Sequence, residues 1–138
     1  MKVLVDTCVW SIALKSNDSR NAIIVKELEA LIDENRISMI GPIRQEILSA
    51  YKDENKFEII KAHLSFFQSS EILDDDYIIA AKFHNICRGK GIQGSHIDFL
   101  ICAISVRLKL KIFTLDNDFF HYQKYLPIDI HNTVNREN

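Results

Sequence analysis

A run of three apolar residues, Val3-Leu4-Val5, stops at an acid, Asp6. An apolar run this short reads as a strand buried on both faces of a parallel sheet. In such sheets ligands bind beyond the carboxyl ends of the strands, where strand order reverses. With the first strand in the middle of the sheet, Asp6 stands at that switch point. The pattern returns at Lys111-Ile112-Phe113-Thr114-Leu115, which ends at a second acid, Asp116.

The residues between these strands read as helices. Thr7 to Leu14 follows Asp6 as a short helix, with Asp6 or Thr7 as its N-cap. Asn17-Asp18-Ser19 is a polar break, after which Ile24, Leu28, Leu31 and Ile32 recur at helical spacing on a helix ending near Asn35. Ile37 to Ile40 is a second strand, and Pro42 suits the first turn of the next helix. On that helix Ile43, Glu46, Ile47 and Ala50 fall at i, i+3, i+4 and i+7, which aims Glu46 inward. A further helix is expected over Lys56 to Phe67, with His63 partly buried, and a short strand over Ser69 to Leu73. Asp74-Asp75-Asp76 opens another helix as solvated caps that complement its dipole. That helix ends at Arg88-Gly89-Lys90-Gly91, a flexible basic loop. Ser95 and His96 lead into an apolar helix from Ile97 to about Leu108; Asp118 and Phe119 open a short helical turn, Pro127 to Ile130 is an edge strand, and Asn132 to Asn138 is a frayed tail. Strands separated by helices throughout give an α/β fold, a three-layer sandwich around a mostly parallel central sheet.

Size and composition narrow the function. The 138 residues suffice for one domain, 1–138, with a real core. No run approaches a membrane span and no signal peptide precedes the first strand, so a cytoplasmic protein with no membrane partner is expected. Three cysteines without CxxC spacing argue against a disulfide framework and a zinc site. Cys102 packs as a small hydrophobe, and Cys8, beside Asp6, makes a poor nucleophile because negative charge discourages the thiolate. With 17 basic against 19 acidic residues the chain has no overall electrostatic footprint for nucleic acid. RNA or DNA would have to be met through local basic patches.

Four acids remain, and each has an ordinary structural explanation. Asp6 could cap the helix after it, and Glu46 could pair sideways with a base. Asp98 fits the capping box Ser95-x-x-Asp98, and Asp116-Asn117-Asp118 could be a turn. Together they point elsewhere. Asp6 and Asp116 end parallel strands on one edge, while Glu46 and Asp98 lie near the starts of helices that run back from that edge. Two unit charges about 4 Å apart repel by roughly 4 kcal/mol at an effective dielectric near 20. Several such repulsions rival a domain's stability of about 5–15 kcal/mol, so the group must take up protons or a cation. All-carboxylate ligation suits Mg²⁺ or Mn²⁺ better than zinc, and acid-lined sites of that kind hydrolyse phosphodiesters.

The motifs Val5-Asp6-Thr7, Glu46 after Gly41-Pro42, Asp98 to Ala103, and Thr114-Leu115-Asp116-Asn117-Asp118-Phe119 together resemble the PIN-domain ribonucleases, in particular the VapC-type toxins of bacterial toxin–antitoxin pairs. The likeness covers nearly the whole chain, and the last motif is the most specific. Cys8 departs from the usual Ser or Asn and Cys102 from the usual Ala, without removing a ligand. The resemblance implies an endoribonuclease in which Asp6, Glu46, Asp98 and Asp116 bind Mg²⁺ or Mn²⁺ and Asp118 completes or supports the shell. Thr7 and Thr114 would orient carboxylates or water through their hydroxyls. It further implies a homodimer and a cognate antitoxin that covers the acidic groove. Arg44, Arg88 and Lys90 are the basic residues placed near that groove as RNA-backbone contacts, each also explicable as a solvated surface charge.

Two other classes are weighed against this. A receiver-like phosphorylation switch shares the fold class but wants an acidic pair at the first strand and a lysine near the last, where the chain reads Pro127-Ile128-Asp129-Ile130. A non-catalytic protein-binding domain has no need of the full set of acids. A D-x-D phosphatase is excluded because Thr7 and Cys8 follow Asp6.

Overall fold

The computed structural model describes residues 1–15 and 18–133. Strand β1 (Val3–Val5) lies between β2 (Ile37–Ser38) and β3 (Lys111–Phe113), and β4 (Asp129–Ile130) pairs with the outer side of β3. All three pairings are parallel, with Val3, Leu4 and Val5 opposite Lys111, Ile112 and Phe113. Successive side chains of β1 point to opposite faces, yet Val3, Leu4 and Val5 are all fully buried. Both faces of the sheet are therefore covered, as a parallel sheet demands. The order β2-β1-β3-β4 reverses direction between β1 and β3, and this puts the switch point at Asp6 and Thr114.

The cover is supplied by α1 (Thr7–Lys15), α2 (Ala22–Asp33), α3 (Gly41–Ser49), α4 (Glu54–Leu64), α5 (Asp74–Gly89), α6 (His96–Leu108) and α7 (Asp118–Gln123). Among the described residues no helix is long and apolar enough to cross a membrane. Apolar residues run nearly all round α6, and Phe99 to Ser105 are all buried, which makes it the central helix of the core. Lys109 closes α6 in the left-handed conformation and turns the chain directly into β3. Neither the polar break at Asn17 nor the end of the expected frayed tail can be compared, since 16–17 and 134–138 lie outside the described residues.

Several local expectations are corrected. Asp76 is not a solvated cap. It is 2% exposed, accepts the Leu73 amide at 2.8 Å, and forms a two-pronged ion pair with Arg107 of α6 at 2.7 and 2.9 Å. One carboxylate thus both caps α5 and clamps it to α6, a long-range role that local sequence cannot reveal. The expected strand over Ser69 to Leu73 reduces to a single bridge between Ser69 and Met39. Helix α4 starts earlier than expected because Asp53 caps it, accepting the Asn55 amide at 3.1 Å, and His63 on it is exposed. Buried Glu27 of α2 meets His131, just past β4, at 2.8 Å. The His131 amide also donates to the Ile112 carbonyl at 2.8 Å, which extends the β3–β4 ladder by a residue.

Candidate active site

The register of β1 and β3, carried one residue further, sets Asp6 opposite Thr114 at the carboxyl edge. The Asp6 amide donates to the Phe113 carbonyl at 2.9 Å, so the backbone there is still held by the sheet. Each Asp6 carboxylate oxygen has a donor: the Thr7 amide reaches Oδ1 and the Thr114 hydroxyl reaches Oδ2, both at 2.8 Å. Thr114 is buried and its hydroxyl accepts the Asp116 amide at 3.0 Å, so one oxygen ties the two strand-end acids together. Asp116 Oδ1 in turn accepts the Asp118 amide at 2.9 Å, fixing the turn that starts α7. The Cys8 thiol lies 3.6 Å from Asp6 Oδ2 and 3.7 Å from the Thr114 hydroxyl. Burial and then the Asp6 charge push its pKa up, consistent with a packing role.

Asp98 enters from the first turn of α6. Ser95 caps the helix by accepting the Asp98 amide at 3.1 Å, so half of the expected capping box is present. The Asp98 carboxylate turns toward Tyr122 of α7, whose hydroxyl donates to Oδ2 at 2.7 Å. Burial holds the Asp98 carboxyl above the ordinary carboxylate range; the Tyr122 and Ser95 hydroxyls pull it down, and the charges of Asp6 and Asp116 raise it further. Asp98, Asp116 and Asp118 each bring a carboxylate oxygen to within 4.8 Å of the others. That donor set is all oxygen, carries up to three negative charges and is open to solvent on one side. It fits a hard divalent cation that keeps several waters, and suits zinc poorly.

The remaining residues singled out from sequence fall in different places. Glu46 is exposed and outside this group of three, a correction to its inward placement. At 3.6 residues per turn it lies roughly 80° round the helix from the buried line through Ile43 and Ile47. It lines a cavity of about 260 Å³ with Pro42, Gln45, Ser49 and Ile97, the last being the neighbour of Asp98. The Arg44 guanidinium donates to the carbonyls of Leu64 (at 2.8 Å) and Phe67 and to the Ser69 hydroxyl, bracing α3 against the end of α4, so it is not a freely solvated charge. Arg88 and Lys90 are exposed, and the Lys90 ammonium sits 5.7 Å from the centre of the Tyr125 ring. Tyr122 was not anticipated. Its position four residues after Asp118 puts it on the same side of α7, and a buried tyrosine needs a partner for its hydroxyl.

Comparison with known proteins bears on the family and the fold. The PIN domain family model matches residues 3–125. VapC ribonuclease Mb1587 of Mycobacterium bovis and ribonuclease VapC11 of Mycobacterium tuberculosis are each 32% identical over 120 residues, covering 85% of this chain and 88% of the relative. Among solved structures, FitAcB from Neisseria gonorrhoeae superposes with a TM-score of 0.76 at 20% identity, over 95% of this chain and 97% of that one. VapBC2 from Rickettsia felis, bound to a DNA fragment from its promoter, gives 0.77 at 15% identity, over 96% and 98%. At these identities the structural likeness speaks for the fold alone.

Proposed function

Since the chain belongs to the PIN domain family, we propose that it is a metal-dependent endoribonuclease, the toxin of a toxin–antitoxin pair, with residues 1–138 acting as one nuclease domain. The observation that carries this reading is the convergence of Asp98, Asp116 and Asp118 beside the switch point at Asp6. Unneutralised, that set of charges works against the fold; neutralised by a cation, it becomes a centre for phosphodiester hydrolysis. The ribonuclease names of the two mycobacterial relatives support RNA as the substrate.

Asp98, Asp116 and Asp118 are the residues that would hold Mg²⁺ or Mn²⁺, with Asp6 and Glu46 as further candidate ligands. A cation bound there supplies charge for the phosphate and lowers the pKa of a water. The protein's part is orientation. Thr114 and the Thr7 amide fix the Asp6 carboxylate, and Asp116 is held by its own turn. Arg88, in the last turn of α5, and Lys90, just past its end, are the residues that would meet the RNA backbone without reading its sequence. The VapBC and FitAB assemblies among the structural neighbours support a cognate antitoxin as partner; a homodimer and a cytoplasmic site of action are proposed on the resemblance in sequence alone.

Incubating RNA with wild type and with Asp6→Asn, with and without divalent metal, tests the proposal. Cleavage by wild type that needs the metal and fails in the variant supports it. A wild-type protein that leaves RNA intact under every metal condition overturns it. A receiver-like switch would instead yield an acid-labile aspartyl phosphate on treatment with a small phosphodonor.

A further inference from the structure

Resting on the reading of the acidic cleft as a cation site, we infer that Tyr122 is a positioning residue for Asp98 and that Gly94 makes room for its hydroxyl. Tyr122 is fully buried, and its ring is wedged between Phe99 of α6 and Phe119 of α7, with centroids 4.8 and 5.2 Å away. Packed on both sides, the ring has one place to put its hydroxyl, 2.7 Å from Asp98 Oδ2. A phenol donating to a carboxylate is a charge-assisted bond, stronger and more directional than a neutral one. It restrains the Asp98 carboxylate and occupies one of its oxygens.

Gly94 completes the device. A Cβ there would overlap the Tyr122 hydroxyl and lie 2.8 Å from its Cζ and 2.9 Å from Phe99 Cε2. The glycine is needed for space: any side chain would push the phenol off Asp98. Gly94, just before α6, and Asp98, in its first turn, thus converge on one hydroxyl delivered from α7. The gap at residue 94 serves the packed rings of Tyr122 and Phe99 as well as the hydroxyl, but a packing role alone would not explain the bond to Asp98, which phenylalanine could not make. The hydroxyl is the nearest atom to the space at Gly94 and the one that bonds Asp98.

The test measures Mn²⁺ binding to the full chain by electron paramagnetic resonance, together with thermal melting in EDTA. Outer partners of ligating residues typically govern metal affinity by about 10–100-fold. Tyr122→Phe is expected to weaken Mn²⁺ binding by about 10-fold while the EDTA melting curve stays cooperative. Gly94→Ala, whose Cβ displaces the hydroxyl together with the two rings it meets, moves affinity in the same direction and serves as the second variant should the first fail to fold. Wild-type Mn²⁺ affinity in folded Tyr122→Phe, whatever its melting temperature, overturns the assignment and leaves the cation site standing. A wild-type protein that binds no Mn²⁺ overturns the cation reading and the role of Tyr122 with it.

Discussion

Thr114 and Asp6 are joined across the switch point by a 2.8 Å hydrogen bond, although they are 108 residues apart in sequence. The same hydroxyl accepts the Asp116 amide, so removing it frees two acids at once. Thr114→Val keeps the shape and deletes both bonds. Cleavage is expected to fall by about 10–100-fold, as for other partners that orient ligating groups, at a stability cost of roughly 1–3 kcal/mol for the buried groups left unpaired. Single-turnover cleavage and urea unfolding measure the two separately. Full activity in the variant would show that the bridge does not order the site.

Asp98 is an ill-placed carboxylate for stability, half-buried and facing the charges of Asp6 and Asp116. Asp98→Asn removes that repulsion while leaving the Ser95 cap and a side-chain acceptor for Tyr122. Its metal-free melting temperature should therefore equal or exceed that of wild type, while RNA cleavage is lost. Early melting with normal activity per folded molecule would mean that Asp98 serves as a helix cap and nothing more.

Glu46 is exposed, so Glu46→Gln should change stability by no more than about 0.5 kcal/mol, whereas Ile47→Ala next to it, nearly fully buried, should cost about 2–5 kcal/mol. Any loss of cleavage in Glu46→Gln then reports on the site and not on folding. Such a loss is expected from its place in the cavity beside Ile97. Unchanged cleavage would remove Glu46 from the site.

The Asp76–Arg107 clamp gives a pH signature of its own. The Arg107 guanidinium holds the Asp76 carboxyl below its usual 3.8. A depressed folded pKa contributes stability that is fully present above the unfolded value and is lost as pH falls through the folded one. At neutral pH Asp76→Asn should cost about 1–2 kcal/mol, discounted because Arg107 is 31% exposed. The gap between the two proteins should hold from pH 7 to about 5 and close below about 3.8. Urea unfolding across that range checks it; a gap that widens on acidification contradicts the clamp.

How much of this was legible in the sequence depended on whether the cause was local. The strand at Val3–Val5 and its acid could be read directly, because a short fully apolar run has few other fates. The parallel edge then brought Asp6 and Asp116 together by topology. Glu46 was misplaced because helical periodicity fixes a face only to within a sector, and Ile43 and Ile47 had already claimed the buried one. Arg44 and Asp76 looked like surface charges, since their partners, the carbonyls at the end of α4 and Arg107, stand 20 to 31 residues away. Tyr122 was invisible for the same reason. What marks it is the space at Gly94 and the direction of Asp98, and both exist only after α6 and α7 have packed.

The central claim is that the carboxylates of the cleft work through a divalent cation. Its most direct test is RNA cleavage by the wild-type protein in Mg²⁺ or Mn²⁺, after EDTA, and after excess metal is restored. The account predicts cleavage that stops on chelation and returns with the metal; cleavage undiminished in EDTA would contradict it.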